Sequence, residues 1–217
     1  MLRPVRTALR CVFLLIVFCL STGCTYSVHP LLTDAELVDV FDLTGKWELE
    51  LVGPNGEQKQ KIPLELDHYE KGTYDLSGLE HLNGPQDSQA NEDIPDLWTL
   101  KIGKIGDDHY AQFIPLDRPI EPPLFSGIPV HYFGRVELSE KEIKFHPFVD
   151  TDCMQLAKEK KLRHIQYEPS DQVHVTVFTM STKELQQLVK EHGKKIFAEK
   201  SLSIKKVGPL EKDEDSK

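Results

Sequence analysis

Through the middle of the chain, apolar and polar positions alternate with a period of two. Trp47, Leu49 and Leu51 interleave with Lys46, Glu48 and Glu50, so a strand here has one apolar and one charged face. After a Pro54-Asn55-Gly56 turn the pattern repeats at Ile62, Leu64 and Leu66, and Glu70-Lys71-Gly72 turns the chain into residues 73–76. A second series starts with Trp98, Leu100 and Ile102. It turns at Gly106-Asp107-Asp108, continues through 109–116, and resumes with Val130, Tyr132, Val136 and Leu138 before a turn at 139–142 and a strand over 143–148. Strands at hairpin spacing favour an antiparallel meander over parallel βαβ units. Trp47, Leu49, Leu64, Leu100, Val136 and Val175 are the expected inward positions.

Two stretches break the rhythm. Residues 77–96 are polar and rich in Gly, Asn, Asp and Pro, and read as an insertion at a hairpin end. Residues 117–129 carry Pro119, Pro122, Pro123 and Pro129, none of which can donate to a central ladder. Later the period changes. Asp150 is placed to cap a helix over 151–162, with Cys153, Leu156, Ala157 and Lys160 on one face. Ser181-Thr182-Lys183-Glu184 has capping-box spacing ahead of Leu185, Leu188 and Val189, and Gly193 is placed to end that helix. Val173, Val175 and Val177 form a strand between the helices, and Leu202 and Ile204 a last one. The expected fold is mainly β: an antiparallel meander closing into a barrel or half-open sandwich, with two short helices in the C-terminal half.

The N-terminal segment differs from everything after it. Arg3, Arg6 and Arg10 precede an apolar run from residue 11 to 20 that ends in Ser21-Thr22-Gly23-Cys24. About ten residues make roughly 15 Å of helix, half of a bilayer core, so the run reads as an export signal. Thr22-Gly23-Cys24 resembles a bacterial lipobox, although Ser21 stands where that motif has Leu, Val or Ile. The resemblance implies cleavage after Gly23 and acyl chains on Cys24. The organisation expected is a signal peptide (1–23), a lipidated tether and lead-in (24–43), one β-rich domain (44–208) and a disordered acidic tail (209–217). Thr33-Asp34-Ala35-Glu36 also has capping-box spacing and predicts either a short helical turn or a surface turn.

Composition narrows the function classes. The first 23 residues hold three of the 26 Lys and Arg and no acid, leaving 23 basic against 35 acidic residues, a formal charge of −12. That excludes nucleic acid as a partner and adsorption to anionic headgroups by charge. Attachment to a membrane must come from acyl chains, each buried CH₂ adding about 0.8 kcal/mol. Two of the four cysteines leave with the signal and Cys24 carries the anchor, so a disulfide framework is excluded. No cofactor motif is present and no cofactor is expected.

One cluster has the residue types of a catalytic or metal centre: His146, Asp150, Asp152, Cys153 and His164. Their spacing forces no convergence, and a helical cysteine on an apolar face is more often a small buried hydrophobe. An anchored hydrolase or metal-dependent enzyme using the 146–164 region is therefore the alternative reading, with no catalytic or metal residue assigned. Lys158, Lys160, Lys161, Arg163 and His164 form a basic cluster that reads as a solvated face. Trp47, Trp98 and Tyr132 are placed either in the core or facing a ligand.

Tyr26-Ser27-Val28-His29-Pro30-Leu31-Leu32-Thr33, Leu43-Thr44-Gly45-Lys46-Trp47, Phe133-Gly134-Arg135-Val136 and the run from Phe178 to Leu185 resemble segments of small bacterial envelope lipoproteins of unassigned function. Gly45-Lys46-Trp47 is also similar to the first-strand G-x-W of lipocalins, which implies an up-and-down barrel holding a small apolar ligand. Together these imply a non-catalytic protein anchored through Cys24, binding a small apolar molecule or an envelope protein. Thr25, rather than Asp, after Cys24 resembles outer-membrane sorting and implies a location facing the periplasm.

Overall fold

In the computed structural model, which describes residues 24–52, 59–78, 98–115, 130–170 and 173–210, eight strands close into an antiparallel barrel. The side chains of residues 24, 25, 52, 59, 150, 151, 167–170 and 173–175 are outside that description. So are the expected signal peptide, the Pro54-Asn55-Gly56 turn, most of the 77–96 stretch, the 117–129 stretch and the tail beyond 210. The barrel strands are β2 (Gly45–Val52), β3 (Lys59–Glu70), β4 (Thr73–Ser77), β5 (Trp98–Ile105), β6 (Asp108–Pro115), β7 (Tyr132–Leu138), β8 (Glu142–His146) and β11 (Leu202–Gly208). β2 to β8 pair in sequence order as the predicted meander. β11 then closes the ring, Ile204 standing opposite Leu49 of β2 and Ile143 of β8.

The rest forms a layer outside the barrel. β1 (Cys24–Ser27) runs parallel to β10 (Val173–Phe178), which pairs antiparallel with β9 (His164–Ser170). Helices α1 (Asp150–Lys160) and α2 (Thr182–Ile196) complete it.

Alternation decides which side chains enter the barrel. Trp47, Leu49, Ile62, Leu64, Leu66, Leu76, Leu100, Ile102, Val136, Ile143 and Phe145 are buried in one inner cluster, including every expected inward residue except Val175, whose side chain is not described. Residues of opposite parity on the same wall, Ile105, Tyr110 and Phe133, face outward into a second cluster with Leu31, Leu32, Phe148, Leu156, Phe178, Leu185 and Ile196. Each such side chain contributes about 1.5–3 kcal/mol on burial.

Residues 24–43, expected as a tether, are built into the fold. Ser27 exchanges two backbone hydrogen bonds with His131 at 3.0 and 2.8 Å. The Leu31 and Leu32 N–H groups donate to Gln112 Oε1 at 2.7 and 3.1 Å, and Leu37 bridges to Gly103. Gly103 permits this close approach, because a Cβ there would lie 2.7 Å from Leu32 Cδ2 and 2.9 Å from the Glu36 carbonyl oxygen. Burial of Leu31, Leu32, Leu37 and Leu43 is what draws the segment in.

Several boundaries moved for identifiable reasons. Asp150 is the first helical residue of α1 and Val149 is the N-cap, without a side-chain cap bond. Lys161 ends α1 in the left-handed region, φ 53°. Gly193 does not end α2, which continues to Ile196. It is instead a small buried residue facing Tyr110, whose hydroxyl would stand 3.4 Å from an added Cβ. The capping box at Ser181 and Glu184 forms as predicted. The Thr33–Glu36 pair closes a turn with a 2.6 Å side-chain hydrogen bond rather than starting a helix. Strands β1 and β9 were not expected, since neither has a long alternating pattern of its own.

Candidate functional site

The two ends of the barrel differ. At one end, called the base, tight turns join β3 to β4, β5 to β6 and β7 to β8, with Gly72 (φ 61°) and Gly106 (φ 66°) in two of them. At the other, the mouth, β2, β4, β6 and β8 end while β3, β5, β7 and β11 begin. Inward side chains at the mouth that pack on the inner cluster are Leu51, Trp98, Phe113, Tyr132 and Leu202, all half-buried. Below them the interior is occupied by Leu49, Leu76, Leu100 and buried Phe145.

The mouth is aromatic because β5, β7 and β8 present a ring at their first or last inward position, Trp98, Tyr132 and Phe145, and β6 adds Phe113 one inward position before Pro115. Register places Phe113 opposite Tyr132, Trp98 opposite Leu76 and Pro115, and Phe145 opposite Leu202. Paired residues in an antiparallel ladder share a face, so these side chains meet. Phe113 and Phe145 rings lie 5.4 Å apart edge to face, Tyr132 and Phe145 5.7 Å, and Phe113 and Tyr132 6.0 Å. Gly134 makes room for this trio, since a Cβ there would sit 2.5 Å from the Phe145 ring. The glycine of the Phe133-Gly134-Arg135-Val136 motif therefore has a packing role. Half-buried rings over a filled barrel can cover an apolar molecule by stacking and dispersion.

Trp47, Trp98 and Tyr132 are not one group. Trp98 and Tyr132 are at the mouth, whereas Trp47 lies near the base, its indole N–H donating to the Leu43 carbonyl at 2.8 Å and Lys206 Nζ 5.6 Å from its ring. Lys206 Nζ also donates to the Asp42 carbonyl at 3.1 Å. A cleft of about 620 Å³ opens at the base between Phe41, Asp42, Lys141 and Lys206. It is shallow and mixed in charge, and Lys206 is already engaged by Trp47 and Asp42.

In the His146–His164 cluster, His146, Cys153 and His164 each face a different backbone carbonyl, and the Asp150 side chain lies outside the described residues. His146 Nδ1 lies 2.8 Å from the Ala198 carbonyl, and its Nε2 faces Glu137 Oε1 at 3.3 Å, an ion-pair distance without hydrogen-bond geometry. Cys153 is buried with Sγ 3.8 Å from the Ile196 carbonyl. His164 Nδ1 lies 2.8 Å from the Leu162 carbonyl. Among the described residues no three His, Cys, Asp or Glu side chains are grouped to hold a metal ion. Lys158, Lys160 and Lys161 are exposed, and Arg163 pairs with Glu184 at 2.6 Å.

Outside the mouth one titratable group stands out. His131, 8% exposed, joins β1 to β7, and its Nδ1 has no hydrogen-bond partner among the described residues. Burial, then the positive charge of His29 and Lys101, pushes it down to about 4. Tyr110 in the outer core is pushed up to about 12 by burial.

Compared with known proteins, the chain matches no family model, no curated protein and no solved structure. Its chemistry must be read from its own geometry. The sequence placed Trp47, Trp98 and Tyr132 together as core or ligand-facing residues and did not single out Phe113, Phe145, Leu51 or Leu202. The signal was present in strand parity: Leu51, Phe145 and Leu202 are each the inward residue nearest a strand end, and Phe113 is followed inward only by Pro115.

Proposed function

We propose that this is a non-catalytic bacterial envelope protein, held in the membrane by acyl chains on Cys24, whose barrel mouth takes a small apolar molecule. The observation that carries the binding reading is the ring of half-buried aromatic side chains, Trp98, Phe113 and Tyr132, over a filled interior. With the interior below them occupied by Leu49, Leu76, Leu100 and Phe145, these rings would take a ligand that is small or enters by one chain. The anchor rests on the Arg-rich, apolar, Thr22-Gly23-Cys24 order, and the outer-membrane, periplasm-facing location on Thr25.

Titration of the acylated protein with a fluorescent fatty acid tests the mouth. Saturable binding near one to one is expected, with a change in tryptophan emission and about tenfold weaker binding in Phe113→Ala and Tyr132→Ala, as loss of about 1.4 kcal/mol of ring contact requires. Equal binding in these variants and the parent would sink the assignment. Cys24→Ala tests the anchor separately: acyl incorporation and processing after Gly23 should both stop.

A further inference from the structure

We infer that the protein is anchored without a tether: the residue that carries the acyl chains is the first residue of β1, so the barrel rides directly on the bilayer surface and meets its ligand there. This rests on the anchoring reading of Cys24 and adds the geometry of the attachment. Cys24 stands opposite Val175, Thr25 opposite Thr176, Tyr26 opposite Val177 and Ser27 opposite Phe178 in a parallel ladder. Ser27 is fully buried, exchanges two backbone bonds with His131 and donates its hydroxyl to the Phe178 carbonyl at 3.3 Å. From there the lead-in is bonded down at Leu31, Leu32 and Leu37.

Magnitudes separate the two attachments. Twenty loose residues, 24–43, would reach about 66–72 Å when extended. With Tyr26 and Ser27 fixed, even a fully frayed Cys24–Thr25 pair gives only about 7 Å. The body therefore cannot swing across the space beside the membrane, and a partner or ligand must come to the surface. The mouth is carried in the same rigid unit, because the Tyr26 ring packs 6.2 Å from that of Tyr132 at the rim. The foot of the β1–β10–β9 sheet, where Cys24 lies, is the side that faces the headgroups.

The test uses the processed, acylated protein extracted from membranes and returned to phosphatidylcholine vesicles carrying a dansyl headgroup lipid. Energy transfer from Trp47 and Trp98 to the surface is compared with that of a variant having about twenty Gly and Ser residues inserted between Cys24 and Thr25, a coil of roughly 22–27 Å. A severalfold loss of transfer in the insertion variant is expected, together with slow hydrogen exchange at the Tyr26 and Ser27 amides of the parent. Equal transfer in the two proteins, or fast exchange at those amides, would overturn the tetherless geometry while leaving the anchor intact. Absence of acyl mass on the extracted protein would remove the anchor and this inference together.

Discussion

Inside the barrel the buried side chains come from positions two apart on strands that follow one another in sequence, and all of them are apolar or aromatic. Across the same wall, the outer core joins the lead-in, the backs of β5 to β7 and two late helices, so Leu31 packs in one cluster with Phe197. Polar groups separate the two further. Ser27, Thr73, Gln112, His131, His146 and Thr176 are buried, all outside the barrel interior, Thr73 standing opposite outward Lys101. Among the described residues the buried side-chain atoms without hydrogen-bond partners, Gln112 Nε2, His131 Nδ1, Arg135 Nε and His146 Nε2, also belong to outward positions. An apolar interior specified by alternation needs no special pairing, whereas an outer layer assembled from distant segments uses polar contacts such as Gln112 to Leu31 and Leu32 to fix how it docks.

Truncating one buried ring tests whether these cores are one cooperative unit. Phe133 is fully buried in the outer core, its ring 4.8 Å from that of Phe148. Phe133→Ala should cost about 3–5 kcal/mol and Leu64→Ala in the inner core about 2–5 kcal/mol. Both tryptophans belong to the barrel and both helices to the outer layer, so urea unfolding followed by tryptophan emission and by far-ultraviolet dichroism reports the cores separately. Coincident transitions in parent and variants are expected. A Phe133→Ala protein that loses helix signal before its tryptophans respond would split the molecule into two units.

Acid should distinguish the cores next. His131 is held neutral in the folded protein down to about pH 4, whereas in the unfolded chain it titrates near 6.5. Between those values the unfolded chain binds more protons, so stability is intact above about pH 6.5 and falls as pH drops toward 4, by about 2–4 kcal/mol in all. Chemical denaturation of the parent and His131→Leu at pH 7.5 and 4.5 checks this. The variant should lose distinctly less stability than the parent over that interval, and an equal loss would place the acid sensitivity elsewhere.

How much of this was legible follows from the same contrast. The barrel meander could be read from Trp47 to Phe145 because its strands carry a period of two and most are joined by turns recognisable at Gly56, Gly72, Gly106 and 139–142. The closure by β11 rested only on Leu202 and Ile204, and β1 and β9 could not be read at all. Cys24-Thr25-Tyr26-Ser27 acquires its strand only by pairing with Val175–Phe178, about 150 residues away, and local pattern holds no record of such a partner. Gly193 misled for a related reason. Its backbone freedom suggested a helix end, but the need for a small residue beside Tyr110 came from tertiary packing. At the mouth, Trp98 and Tyr132 were visible as aromatics on strands, while their grouping with Phe113 and Phe145 and their separation from Trp47 depend on which end of each strand they occupy.

Two glycines, one on each side of the barrel wall, separate the two cores by a smaller energy. Gly103→Ala puts a methyl group against both Leu32 and the Glu36 backbone, on the outer face. Gly134→Ala puts one into the Phe145 ring, inside the mouth. Overpacking of either kind costs about 1–3 kcal/mol, but the consequences should differ. Gly103→Ala should expose the lead-in to proteolysis and leave fatty-acid binding unchanged, while Gly134→Ala should weaken binding by displacing the aromatic trio. Identical proteolysis and binding profiles for the two variants would erase the functional distinction between the two sides of the wall.

The smallest effect concerns the helix that covers the outer core. Ser181 donates its hydroxyl to Glu184 Oε2 at 2.6 Å and its backbone N–H to the same oxygen at 2.8 Å, and Arg163 Nη2 reaches that oxygen at 2.6 Å. These bonds hold the Glu184 carboxyl down at about 2, so the contribution is complete above the ordinary carboxylate range and fades only as pH falls toward 2. Ser181→Ala should cost about 1 kcal/mol at neutral pH. Arg163→Ala should cost less, because that pair is exposed. In the double variant the losses should fall short of additive, since the two donors share one oxygen. Unlike Phe133→Ala, the Ser181 change should leave the two spectroscopic transitions superimposed, because it weakens the start of α2 without opening the core that α2 covers. Separate transitions in Ser181→Ala would mean that the outer layer depends on its cap more than on its buried side chains, reversing the order of importance that the two cores suggest.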